Sequence, residues 1–237
     1  NYDKIIVKQP SVKFFGNIYS AAGVQADPDK VKAIQSLRAP ENRSELRTFL
    51  GMINYLQQFI PKLSEHTAPL RELDTESAHF LWNETLQNVF EKAKSLVSAD
   101  ITLAYYDRTK HVEVQCDYSQ QGLGAVLVQE GRPIHFASKA LVGAEKNYAP
   151  IEGEMLAVLY GIKKFHYYLY GRKFIVKSDH KPLKYIHKKN LRLAPPRLRA
   201  MLMSICQYDY EIEHVPGKYM VMPDTFSRLS HADTKEI

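Results

Sequence analysis

Four acidic residues in the second half of the chain have the type and placement of a metal-binding set: Asp117, Glu154, Asp179 and Asp224. Asp117 and Asp179 each end an alternating, strand-like run, whereas Glu154 lies near the start of a helical pattern. Converging carboxylates repel one another, so a fold that gathers them needs hard cations, and Mg²⁺ and Mn²⁺ prefer oxygen ligands. The chemistry typical of such a set is phosphodiester hydrolysis with two metal ions. The sequence therefore predicts a site for two Mg²⁺ ions, with Mn²⁺ as an alternative.

The choice of Glu154 over Glu152 depends on helix geometry. Two residues two positions apart point about 200° away from each other, so the two side chains cannot share a target. If Glu154 faces the sheet, the small residues Ala157, Val158 and Gly161 lie on its side and let the helix approach the strands. Glu152 then points to solvent or supports the helix N-terminus.

Simpler interpretations of the individual acids remain open at this point. Any single acid is more commonly a surface carboxylate than a ligand, and Asp224 is also suited to cap a helix or to pair with Arg228 four residues on. His214 ends a strand-like run ten residues before Asp224. A lone histidine is usually structural, but beside a metal site it is a candidate to move a proton to water or to the leaving oxygen.

Net charge and its distribution indicate a nucleic-acid partner. The chain carries 32 basic and 26 acidic residues, a net charge of +6. Between residues 163 and 199 the only acid is Asp179, so a basic block surrounds one of the four carboxylates. A basic block is often only a solvated surface, but this position favours contact with a phosphate backbone. The predicted contact residues are Lys181, Lys184, Lys188, Lys189, Arg192, Arg197 and Arg199.

Composition excludes several classes of protein. No run of about 18 apolar residues is present, which argues against a membrane span. The start, Asn1-Tyr-Asp-Lys, is not a signal peptide and lacks an initiator Met, so we expect an intracellular segment cut from a longer chain. Two cysteines, Cys116 and Cys206, are too few for a disulfide framework and are expected to be reduced thiols.

Hydrophobic periodicity divides the chain near residue 100. Residues 1–25 are strand-like, and helices are predicted from Asp27-Pro28, from Asn42, from Pro61 to about Leu73, and from Thr85 to Val97. Taken alone, residues 27–98 are also compatible with an ordinary helix bundle. Strands follow at 111–117, 123–129, 132–139, 173–179 and 209–215, and helices at 147–169, 181–187, 195–206 and about 220–229. This order predicts an α/β fold with a mixed sheet flanked by helices.

Short motifs through the whole chain resemble gypsy-type LTR-retrotransposon reverse transcriptases. Asp27-Pro-Asp-Lys-Val, Glu45-Leu-Arg-Thr-Phe-Leu-Gly and Phe59-Ile-Pro are similar to that family's thumb. Asp117-Tyr-Ser, Gly122-Leu-Gly-Ala-Val-Leu, Glu154-Met-Leu-Ala, Ser178-Asp-His-Lys-Pro-Leu and Asp224-Thr-Phe-Ser-Arg resemble its RNase H domain. The motifs occur in order and at family-like spacing.

The resemblance implies an RNase H-like fold with a mixed five-stranded sheet. It assigns 1–25 to the end of the palm with its primer-gripping strands, 26–99 to the helical thumb, 100–230 to the RNase H domain and 231–237 to a tail. It implies hydrolysis of the RNA strand of an RNA–DNA hybrid, with the four acids as metal ligands. The implied partners are the hybrid and the remainder of the reverse transcriptase polyprotein, and a homodimer is compatible with it. The implied location is the cytoplasm, a virus-like particle or the nucleus.

The sequence also departs from the family pattern. The polymerase motif Tyr-x-Asp-Asp is missing, so this chain alone is not expected to polymerise. The usual Thr-Asp-Ala-Ser is Cys116-Asp-Tyr-Ser here, Met220 replaces an Asn, and His214 stands where the family generally has Tyr. The alternative function is a non-catalytic nucleic-acid-binding or structural subunit, or a host-adopted remnant, of a reverse transcriptase. A DNA-cutting transposase of the same fold is disfavoured by the thumb-like region.

Overall fold

The structure, a computed structural model, describes residues 9–97, 101–186 and 194–220. Its first element is an antiparallel sheet of β1 (Ser11–Phe14), β2 (Asn17–Ser20) and β3 (Gly23–Ala26). Gly16 turns the chain with φ of +64°, and Gly23 has φ of +138° beside the carbonyl oxygen of Leu103. A side chain at Gly23 would collide with that backbone, so glycine is required there.

Five α-helices follow in the described residues: α1 (Pro28–Gln35), α2 (Arg43–Tyr55), α3 (Leu63–His66), α4 (Ala68–Leu73) and α5 (Glu84–Val97), with a 3-10 helix, Gln57–Phe59, between α2 and α3. The predicted helix starts are confirmed, because the Asp27 side chain caps α1 and that of Asn42 caps α2. The prediction of a single helix from Pro61 to Leu73 was wrong, because two short helices occupy this range. Pro69 has no N–H to continue the ladder, and the chain breaks at Thr67 into α3 and α4.

The second sheet has five strands in the order β6-β5-β4-β7-β8. They are β4 (Glu113–Tyr118), β5 (Gly122–Gln129), β6 (Arg132–Ala140), β7 (Lys173–Ser178) and β8 (Asp209–His214). β4, β5 and β6 are antiparallel, whereas β7 is parallel to both β4 and β8. The flanking helices are α6 (Pro150–Lys164), α7 (His166–Leu169), α8 (Leu183–Ile186) and α9 (Pro196–Ser204). The predicted mixed α/β fold is confirmed.

Strand β5 shows how the two halves of the chain share one sheet. All eight of its residues are buried, and the strand alternates between two cores. Leu123, Ala125 and Leu127 join the core under α6, whereas Val126 and Val128 join the core of the α1–α5 helices. Successive strand side chains point to opposite faces, so a helical layer covers each face of the sheet. The helices before residue 98 therefore pack directly on the sheet.

The small-residue face of α6 lies against the sheet as the sequence predicted. Ala157 and Val158 are buried in the same core as Val114 and Cys116 of β4. This packing fixes the rotation of α6 and points Glu154 of the same face towards the sheet. Within the described ranges, no helix is both long enough and apolar enough to cross a membrane. The helix predicted from about residue 220 to 229 lies outside the described residues.

Candidate active site

Three of the predicted metal ligands lie at the same end of the five-stranded sheet, where β4 and β7 end and α6 begins. Asp117 is the fifth residue of β4, and Asp179 follows the last residue of β7. The two strands are parallel neighbours, so their carboxyl ends lie at the same edge. Glu154 lies in the first two turns of α6, which packs across β4 and β5. Each of the other two carboxylates acts electrostatically on that of Glu154.

The surroundings of Glu154 disfavour a negative charge on its carboxyl group. Only 8% of the residue is exposed, and its buried Oε2 atom has no hydrogen-bond partner among the residues that the structure describes. Burial, followed by the charges of Asp179 and Asp117, raises the pKa of Glu154 to about 8, although a hydrogen bond from Ser178 and the charge of Lys62 oppose the rise. A buried carboxylate with an unsatisfied oxygen and two acidic neighbours lacks positive charge.

Lys62 supplies part of that positive charge, and it is not among the site residues predicted from the sequence. Its ammonium forms an ion pair with Asp117 Oδ2, with side chains 27% and 20% exposed respectively. Lys62 comes from the helical half of the chain, immediately before α3, and has a left-handed backbone with φ of +51°. Nothing in the local sequence marks it, because the pair joins positions 62 and 117 through the packing of α3 on the sheet.

The oxygen atoms of the acid cluster are ligands of the type that divalent cations bind, but the positions of the described ones do not form a complete metal-binding site. In the ranges that the structure describes, no three carboxylate, imidazole or thiolate groups lie close enough to hold a metal ion as they stand. One oxygen of Asp117 is engaged by Lys62, whereas the buried Oε2 of Glu154 has no hydrogen-bond partner within residues 9–97, 101–186 and 194–220. Asp224, the fourth predicted ligand, lies outside the described residues. The oxygen donors present fit Mg²⁺ or Mn²⁺ by type and charge.

His214 lies at the same edge of the sheet. It is the last residue of β8, is half-buried and pairs in register with Ser178, the residue before Asp179. The turn that follows brings Gly217 so close that a Cβ atom there would lie 3.4 Å from Asp179 Oδ2. The position agrees with a role near the acids, and the proton-transfer role of His214 stays a prediction.

The residues predicted to contact nucleic acid differ in their surroundings. Lys181 and Lys184 are exposed next to Asp179 in sequence. Arg197 donates to Glu152 Oε2 at 2.7 Å and lies 4.3 Å from the ring centre of Tyr148. Arg199 is half-buried and donates to the Ala194 carbonyl oxygen at 3.2 Å. Lys188, Lys189 and Arg192 lie outside the described residues.

Glu152 supports the N-terminus of α6, which was one of the two roles predicted for it from the sequence. Its Oε2 atom accepts from the Ala149 backbone N–H at 3.2 Å as well as from Arg197. The carboxylate therefore satisfies a backbone donor at the start of α6 and belongs to a different network from Glu154.

The fold and the acids at its edge define an RNase H-like domain. Residues 107–208 match the RNase H-like domain found in reverse transcriptase. Over nearly its whole length, the chain is similar to retrotransposon Pol polyproteins of the gypsy type. It is 34% identical over 234 residues to the Pol polyprotein of transposon 297 from Drosophila melanogaster, covering 96% of this chain and 21% of that protein. Identity to the gypsy polyprotein of the same organism is also 34%, over 92% of this chain and 22% of that protein.

The chain spans about a fifth of the length of the curated relatives that it matches. Solved structures of similar fold include a foamy viral protease–reverse transcriptase in complex with an RNA/DNA hybrid. It has a TM-score of 0.76 at 20% identity, covering 88% of this chain and 30% of that one. A second foamy viral protein, in complex with double-stranded DNA, has a TM-score of 0.75 at 21% identity, covering 90% of this chain and 38% of that one. These similarities establish the shared fold.

Proposed function

We propose that this chain hydrolyses the RNA strand of RNA–DNA hybrids, as the ribonuclease H part of a longer reverse transcriptase polyprotein. The observation that carries the proposal is the buried Glu154 carboxylate, whose Oε2 finds no hydrogen bond in the described part of the chain and which has Asp117 and Asp179 as electrostatic neighbours. Protein interiors do not gather unpaired acids for stability, because their repulsion and desolvation oppose folding. Such a cluster is typical of a site that binds a cation in order to act.

Asp117, Glu154 and Asp179 would hold the metal ions, Mg²⁺ or Mn²⁺, together with Asp224. When bound, a divalent ion lowers the pKa of a water ligand and neutralises charge on the scissile phosphate. Glu154 must lose its proton to become a ligand, and its raised pKa makes that loss a cost that cation binding has to offset. His214, at the end of β8, is proposed to move a proton at the same edge of the sheet.

Lys181 and Lys184 would hold the phosphate backbone of the substrate beside Asp179. Both are exposed and lie two and five positions after this acid, so a strand bound across the acids passes within their reach. Phosphate contacts of this kind set the position of a duplex and do not depend on its sequence. A hybrid would then be recognised by its shape and by its 2′-hydroxyl groups.

A labelled hybrid incubated with Mg²⁺, and in parallel with EDTA, tests the proposal. We expect metal-dependent cutting of the RNA strand, and Asp179→Asn should abolish it while leaving hybrid binding largely intact. Asp209→Asn is the matched control, because Asp209 is exposed at the opposite end of the sheet, where β8 begins. Undiminished cutting by the Asp179→Asn variant would refute the assignment of the site.

A second function, a non-catalytic hybrid-binding or structural subunit of a reverse transcriptase, is favoured by one observation. The Lys62 ammonium pairs with Asp117, so the described acids are partly neutralised without a metal ion. The same assay separates the two functions, because tight hybrid binding without cutting at any Mg²⁺ or Mn²⁺ concentration would support the subunit.

A further inference from the structure

Lys62 and Asp117 connect the two halves of the chain at the candidate active site. The lysine is fixed by its neighbours, because Pro61, Leu63 and Ser64 are all buried. The Ser64 backbone N–H also donates to Ser138 Oγ of β6 at 2.9 Å. The Lys62 backbone is thereby held against the sheet, and its side chain needs only to extend to reach Asp117.

We propose that Lys62 is a built-in counter-ion that competes with divalent cations for Asp117. The inference rests on the proposed metal-dependent function and names a regulator of the same site. It makes Lys62 a positioning residue, since the lysine acts through the Asp117 carboxylate.

The competition follows from charge and reach. The ammonium takes a lone pair on Asp117 Oδ2, and both side chains are mostly removed from water, so their charges are weakly screened. A divalent ion bound to the same carboxylate would lie within a few ångströms of the ammonium and would repel it. A lysine side chain is flexible and can swing out to solvent, which makes the pair reversible. Metal binding would therefore release Lys62 and break one link between the helical half and the sheet.

Binding of Mn²⁺ to the 237-residue chain, measured by titration calorimetry or by the paramagnetic resonance of the free ion, tests the proposal without any cleavage readout. Lys62→Met should tighten Mn²⁺ binding by about tenfold, because the competing ammonium is gone and all the proposed acidic ligands remain. Lys62→Arg keeps the charge and should bind Mn²⁺ within about twofold of the wild-type chain. Arg47→Met is the matched control: it breaks the Arg47–Asp74 ion pair in the same helical half, away from the acids.

Thermal unfolding supplies a second readout. In EDTA, Lys62→Met should unfold at a lower temperature than the wild-type chain, because Asp117 loses its partner. Its gain in melting temperature on adding Mn²⁺ should be larger, because stabilisation by a ligand grows with affinity. Lys62→Gln should behave as Lys62→Met does, and it replaces that variant if the methionine impairs folding.

The outcomes separate this inference from the proposed function. Equal or weaker Mn²⁺ binding by Lys62→Met, in a chain whose Mn²⁺ binding is lost on Asp117→Asn, would overturn the competition and leave the metal site standing. A wild-type chain with no Asp117-dependent binding of Mn²⁺ or Mg²⁺ would overturn the proposed function and the competition together.

Discussion

Gly161 of α6 lies so close to Cys116 of β4 that a Cβ atom on the glycine would be 2.9 Å from the cysteine Sγ. The same atom would lie 3.2 Å from Ala125 and from Val114. Helix and sheet therefore meet at a distance that only glycine allows. Because Glu154 is on the same helix and Asp117 follows Cys116, this contact also sets the distance between two of the acids.

We expect Gly161→Ala to destabilise the protein by about 1–3 kcal/mol, since the added methyl group overpacks a fully buried site. It should also reduce metal-dependent cutting more than hybrid binding, because the helix that carries Glu154 is pushed from the sheet. Urea unfolding and the hybrid assay measure both effects.

Gly51→Ala is the matched control for this change. Gly51 is exposed in α2, and a Cβ atom there would meet no described atom within 4 Å. Alanine should stabilise that helix by about 0.5–1 kcal/mol. If Gly161→Ala were as stable as Gly51→Ala, the close approach of α6 to the sheet would be contradicted.

The raised pKa of Glu154 predicts a specific pH dependence of stability. The folded state holds a proton on Glu154 up to a pKa of about 8, whereas the unfolded chain loses it near the ordinary value of 4.5. The folded state thus binds more protons between these values, so this group makes the free energy of unfolding fall as pH rises through that window. Glu154→Gln should remove that part of the fall.

Melting temperatures of the wild-type chain and Glu154→Gln, measured in EDTA from pH 5 to pH 9, give the test. The advantage of the variant over the wild type should grow steadily with pH and level off above about pH 8. A difference that stays constant with pH would show that Glu154 titrates normally. Mg²⁺ should reduce the difference, because a cation favours the ionised carboxylate.

Ser138 holds the helical half of the chain to the sheet. It is 5% exposed, and its hydroxyl accepts from the Ser64 backbone N–H at 2.9 Å and donates to Ser64 Oγ at 3.1 Å. Its hydroxyl also accepts from Gln57 Nε2 at 3.1 Å. We expect Ser138→Ala to cost about 1–3 kcal/mol, because a buried backbone donor loses its acceptor. Urea unfolding measures the loss.

Ser204→Ala serves as the comparison for Ser138. Ser204 is exposed at the end of α9, and its hydroxyl donates to the carbonyl oxygen of Ala200 in the same helix. The substitution should change the free energy of unfolding by about 0.5 kcal/mol or less. A Ser138→Ala effect of that small size would mean that water replaces the lost hydroxyl and that the two halves are not held there.

The exposed lysines after Asp179 should contribute to the salt dependence of hybrid binding. Lys181→Ala and Lys184→Ala should each weaken binding and lower the slope of log K against log salt by about 1, because each removes one phosphate contact. Lys173→Ala is the control, since Lys173 starts β7, roughly 20 Å from Asp179, and pairs with Glu211. Unchanged slopes for both test variants would place the hybrid elsewhere.

Local sequence patterns predicted most of the helices and strands, and they predicted which of these elements carry the acids. Period-2 runs marked the five strands, Asp27 and Asn42 marked two helix starts, and the small face of α6 selected Glu154 over Glu152. These signals work because they depend on backbone geometry and on neighbours within a few residues. The break at Thr67 was missed, since the apolar pattern runs through Pro69 without interruption.

The sequence by itself determined which carboxylates could form a site and which family the chain resembles, since those depend on residue type and order along the chain. Only the tertiary structure decided that α1–α5 cover the second face of the sheet, that Glu154 is buried beside two other acids, and that Lys62 reaches Asp117. Burial and ion pairs between positions far apart are set by packing, which leaves no periodic trace in the chain. The four carboxylates are therefore a property of the sequence, whereas their charge balance is a property of the fold.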